Sequence, residues 1–199
     1  MSAYGSSGPS AKAEQPGRTS AGVGRPGLQR GCSVAGSSIP VFGCEGSPAE
    51  AARVLSRERE AGIPVIHVRH DAGAGSPYDL EADVGQVSAE VAPAAGEPVI
   101  TKDHPSSFFG TDLETRLRRT GRQDLVLVGF MTHMCVNSTA REAFNLGYRP
   151  TTVAAATATH ELAGADGKPV TATELQEASL AGMADLFAVV VGKAEEIPD

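Results

Sequence analysis

The chain has 199 residues, a mass of 20.4 kDa, a formal charge of -7 and a pI near 5.2. That length suits one compact domain, and the acidic balance argues against general nucleic-acid binding. Cys32, Cys44 and Cys135 are the only cysteines, too few and too scattered for a disulfide scaffold. No apolar run approaches a membrane span or a signal core, so the expectation is a cytoplasmic protein without a membrane or nucleic-acid partner.

Residues 1–46 contain ten glycines and eight serines, with no alternation and no helical stripe. They read as an irregular or flexible segment. Their only strand-like fragment, 39–42, is interrupted by Pro40, and the spacing of Cys32 and Cys44 matches no metal motif. An ordered domain is expected over 47–193, with a short surface tail at 194–199.

Ser47, Pro48 and Glu50 form a helix-start signal, followed by an apolar face of Ala51, Ala52, Val54 and Leu55. Residues 57–60 are expected to face water, and Gly62 to stop the helix. PVIHV at 64–68 reads as a buried strand, in which His67 suits a core or strand-end position. His70 and Asp71 lie just beyond it, lining a pocket or a solvated loop. The acidic connection 71–97 carries no compact metal motif. PVITK at 98–102 is a second strand, with Lys102 at its C-terminal end. Thr111 and Glu114 have capping-box spacing and open a helix to about residue 119, ended by Gly121.

LVLV at 125–128 is an unbroken apolar run that suits a strand covered on both faces. From residue 135 to 146 the period becomes helical, with Val136, Ala140, Ala143 and Phe144 along one side. Cys135 falls at that hand-over. The positive end of a helix there favours the reactive thiolate; a buried structural cysteine is the competing reading. Gly147 is the expected C-cap. A strand at 149–156, a polar loop at 157–161, a turn at Asp166-Gly167, a helix at 172–184 and a strand at 186–191 complete the chain. Alternating helices and short buried strands indicate a parallel α/β sheet with right-handed crossovers. No glycine-rich fingerprint opens any helix, which argues against a nucleotide cofactor.

VITKDHPSSFFGTDLE at 99–114 and LVLVGFMTHMCVNSTAREAFNLGY at 125–148 resemble the isochorismatase-like cysteine hydrolases, with a weaker match over 47–191. The resemblance implies a three-layer, Rossmann-like α/β sandwich with a mainly parallel central sheet. It implies an Asp–Lys–Cys constellation, placing the lysine at Lys102 and the nucleophile at Cys135. It also implies a cis peptide before the nucleophile, expected at Met131–Thr132. Backbone donors for an oxyanion are expected from Met131, Thr132, Met134 and Cys135. His104 and His133 are expected to contact polar substrate atoms, and Phe108, Phe109 and Met134 to wall a pocket or pack in the core. No cofactor or metal is implied; a small-molecule substrate and a homo-oligomer are.

The sequence departs from the family in two places. The family's aspartate ends a central strand near the N-terminus, lying between the strands that resemble 64–68 and 125–129, yet residues 1–70 contain no aspartate. Ala156 stands where an aspartate often ends the following strand. An altered frame or gene start, a degenerate member, or catalysis through another base would each account for the first departure. The expected function is hydrolysis of a small amide or related metabolite, impaired by the missing aspartate. The alternative is a noncatalytic binding or structural protein on the same fold.

Overall fold

The computed structural model describes residues 47–198. The irregular reading of 1–46, the fragment 39–42 and the roles weighed for Cys32 and Cys44 lie outside the described residues. The elements in order are α1 (Ser47–Glu60), β1 (His67–His70), β2 (Val99–Lys102), α2 (Leu113–Thr120), β3 (Asp124–Phe130), α3 (Asn137–Asn145), β4 (Arg149–Ala158), β5 (Leu162–Ala163), β6 (Pro169–Val170), α4 (Ala172–Ala184) and β7 (Val189–Val191).

The layers follow from side-chain alternation along the strands. Val126 and Val128 of β3 join Val153 and Ala156 of β4 against Ala51 and Val54 of α1. Leu127 points the other way, toward Val136, Ala140 of α3 and Met183 of α4. Helices therefore cover both faces of a mainly parallel sheet, the architecture of a three-layer α/β sandwich. The parallel pairs are β1 with β2, β3 with β4, and β4 with β7; β5 and β6 form a small antiparallel hairpin.

Among the described residues no ladder joins β1 to β3. Leu125 to Val128 are accordingly half-buried, not covered on both faces as their sequence suggests. The family's central strand, expected between these two, is not among the described residues.

Several boundaries differ from expectation for local reasons. β1 begins at His67, not at 64, because its register sets Ile66 opposite Pro98, which has no N–H to offer. β7 begins at Val189, not 186, because the N–H groups of Phe187 and Ala188 turn back onto the Met183 carbonyl. The box of Thr111 and Glu114 does not form: Thr111 donates to the Ser107 carbonyl at 2.6 Å, and Glu114 accepts from Arg118 at 2.9 Å. A full capping box forms instead at Thr171 and Glu174, opening α4. The cis peptide is Phe130–Met131, one bond earlier than Met131–Thr132.

The polar side of α1 is tied down where solvation was expected. Arg57 donates to the carbonyls of Ala194 and Ile197, and Glu50 accepts the Ala194 N–H at 2.7 Å. Ala194 and Ile197 are consequently buried, so the segment expected as a surface tail closes over α1. Arg59 grips Glu97 with two bonds of 2.7 Å, and Glu97 also meets His67 at 2.8 Å.

This cluster gives a pH dependence. The Arg59 guanidinium, with the Ala94 N–H and His67, holds the Glu97 carboxyl down at about 2, from an ordinary value of 4.5. A carboxyl lowered in the folded state stabilises fully above its unfolded value, and that contribution is lost as pH falls through the folded one. Glu97→Gln should therefore lower the unfolding midpoint at pH 6 and flatten its acid limb between about pH 4.5 and pH 2. Thermal melts over that range check it; an unchanged acid limb would contradict it.

Candidate active site

β2 ends at Lys102 and β3 runs into the Cys135 turn, so both side chains emerge at the C-terminal edge of the sheet, where sites of parallel sheets collect. Between β3 and α3 the chain makes a wide π turn, Thr132–Val136, instead of entering the helix directly. Cys135 lies within that turn and is half-buried. π turns of this kind are frequent at functional sites.

Lys102 is only 6 % exposed, so its ammonium needs acceptors in place of water. Among the described residues it has three: the His104 carbonyl at 2.7 Å, His70 Nδ1 at 3.1 Å and Cys135 Sγ at 3.3 Å. An ammonium has no lone pair, so Nδ1 must accept and His70 is neutral at that nitrogen. Burial pushes His70 below the ordinary imidazole range, and the Lys102 charge adds to this. Among the described residues no carboxylate hydrogen-bonds to Lys102 or Cys135.

The segment after β2 is locked over α3. The Ser107 N–H donates to Thr139 Oγ1 at 3.0 Å, and Ser106 donates to Glu142. This brings the His104 carbonyl onto Lys102 and fixes Lys102 against the turn that carries Cys135.

The other expected residues divide. His104 pairs with Asp103 at 2.7 Å, and its ring lies 4.4 Å from Phe109, which is 55 % exposed. Met134 is also exposed. Phe108 is not a pocket wall: it is buried among Ile100, Leu113 and Ala143 and stacks on Tyr148. Met131 and Thr132 are buried, and the Met131 carbonyl accepts the N–H groups of both Met134 and Val136. The Met134 N–H is thus engaged within the turn and is not turned toward an oxyanion. His133 bonds Thr159 through Nδ1 and meets the His160 ring edge-on at 5.5 Å. Burial, then His160, lowers His133 below its ordinary range.

His70, expected to line a pocket or a solvated loop, ends a strand instead, and His160 falls in the expected polar loop. His70 ends β1 in register with Lys102, and that pairing would have revealed it. His160 carried no signal beyond its place after a strand. Among the described residues no group of three metal-binding side chains occurs, and no helix is long and apolar enough to cross a membrane.

Residues 35–195 match the Isochorismatase domain family. The chain is similar to an isochorismatase from Pseudomonas putida of known structure, at 39 % identity and a TM-score of 0.76, covering 79 % of this chain and 80 % of that one. It is 32 % identical over 158 residues to the secreted isochorismatase effector Isc1 of Verticillium dahliae, covering 79 % of this chain and 80 % of the relative. It is 31 % identical over 161 residues to the ureidoacrylate amidohydrolase RutB of Variovorax paradoxus, covering 66 % of this chain and 63 % of the relative.

Proposed function

Because the chain belongs to the isochorismatase family of hydrolases, we propose that it is a cysteine hydrolase of a small amide, with Cys135 as nucleophile and Lys102 as its electrostatic partner. The observation that carries this reading is the 3.3 Å contact between the Lys102 ammonium and Cys135 Sγ at the end of the sheet. A thiolate is the nucleophilic form of cysteine, and a neighbouring cation favours it. The amide class draws support from the Variovorax relative, an amidohydrolase. The exposed Phe109 ring beside the His104 imidazole suits a small substrate with one apolar and one polar part.

In the first half-reaction the Cys135 thiolate adds to the amide carbonyl carbon. The tetrahedral adduct collapses, the C–N bond breaks and the amine leaves with a proton, leaving a thioester on Cys135. Water then attacks the thioester and releases the acid. Lys102 stabilises negative charge on sulfur in both halves. Each half also needs a group that takes a proton and gives it back.

A panel of small primary amides and ureido compounds, with ammonia release as the readout, tests the reading in protein shown to be folded. Release that depends on Cys135 supports it. Tight binding of a panel member without release would identify a noncatalytic binding protein on this fold.

A further inference from the structure

The proposed hydrolase needs a proton acceptor, and a lysine ammonium is not one. A cation cannot accept a proton, and a neutral lysine would give up its charge stabilisation. The contacts around Lys102 Nζ resolve this. One tetrahedral nitrogen bridges His70 Nδ1 at 3.1 Å and Cys135 Sγ at 3.3 Å, while the His104 carbonyl at 2.7 Å fixes its third direction. His70 is itself held: the Asp71 N–H bonds the Lys102 carbonyl at 2.8 Å, continuing the β1–β2 ladder, and Tyr78 packs edge-on against the imidazole at 4.9 Å.

We propose that His70 is a positioning residue that serves as the proton store of Cys135, working through Lys102. The inference rests on Cys135 being the nucleophile. Lys102 passes one of its protons to His70 Nδ1 and takes the thiol proton in return. One S–H bond breaks and one N–H bond forms at His70, while Lys102 loses one N–H and gains another. Ammonium, imidazole and thiol become ammonium, imidazolium and thiolate, with net charge unchanged. Lys102 never persists as a neutral amine. When the C–N bond breaks, the same path runs backward, and the imidazolium proton reaches the amine through Lys102. In the second half-reaction water supplies the proton and the relay takes it again.

Other charged groups also face His70. Asp71 follows it on its own strand end, and Asp103 and His104 follow Lys102 on the neighbouring one. Lys102 and His104 make the imidazole a weaker base, Asp71 and Asp103 a stronger one. Burial and Lys102 together leave it below its ordinary range, so its imidazolium is a ready donor when the amine departs.

The test reads the alkylation of Cys135 by iodoacetamide against pH, by peptide mapping, and needs no substrate. His70→Asn keeps an acceptor for Lys102 but cannot hold the proton. The proposal expects alkylation at pH 7 to fall roughly tenfold or more, within the range of general-base effects, and to converge with wild type near pH 9.5, where hydroxide replaces the base. His70→Gln serves if the asparagine variant fails to fold. A purely structural role would lower the rate equally at both pH values, and that result overturns the proposal, as does a profile unchanged from wild type. Lys102→Met separates the two readings. If it slows alkylation while His70→Asn does not, only the His70 proposal fails. If neither variant slows it, the activated nucleophile fails as well.

Discussion

In a Cys135→Ala protein, hydrolysis of any amide that the wild type turns over falls by roughly a thousandfold or more, as expected when a covalent route is removed. Folding should be retained. Cys135 is half-buried in the π turn, so removing its sulfur opens little enclosed space. The turn is held by the Met131 carbonyl, which takes two backbone N–H groups, and not by the thiol. Lys102 keeps His70 and the His104 carbonyl as acceptors. Initial rates beside a thermal melt check both halves of the prediction. Residual turnover within tenfold of wild type in folded protein would remove Cys135 from the chemistry.

Lys102→Met separates charge from volume. Methionine keeps most of the apolar stem and removes the ammonium. Turnover should fall by roughly a hundredfold to a thousandfold, the scale of losing one preorganised charge-stabilising group. Stability should hold or rise. Lys102 is 6 % exposed, and among the described residues its partners are a carbonyl, an imidazole and a thiol, none a carboxylate. A buried charge that meets no counter-charge among the described residues is costly, so its removal relieves the fold. Opposite signs for activity and stability mark a residue kept for chemistry. A large loss of stability with turnover preserved would show that Lys102 is structural.

The sequence disclosed these two residues by different routes. Cys135 stood out because an unbroken strand run gives way to a helical period at that point, and the structure places it in that hand-over. By local pattern Lys102 carried only a position at a strand end, and the family resemblance alone gave it a role; its contact with Cys135 joins residues 33 apart, which no local pattern encodes. His70 was harder still. Its significance lies in the parallel register that sets it beside Lys102, and register belongs to the pairing of two strands.

Secondary structure followed the same logic. α4 was legible to its ends from its apolar positions, although the capping box that opens it was not read. β7 was read three residues too long because the apolar character of Leu186, Phe187 and Ala188 does not reveal that the latter two turn their N–H groups onto α4. Phe108 and Phe109 are adjacent and identical in type, yet one is buried on Tyr148 and the other exposed beside His104. Composition cannot separate them; the anchoring of their segment on Thr139 and Glu142 does.

Covalent attack by Cys135 with Lys102 beside it is tested most directly by mass-spectrometric trapping of the wild-type protein during turnover of a small amide, by rapid acid quench and peptide mapping. An acyl group is expected on the peptide carrying Cys135, absent from Cys135→Ala and scarce in Lys102→Met. Turnover with no adduct on Cys135, undiminished in Cys135→Ala, would contradict it.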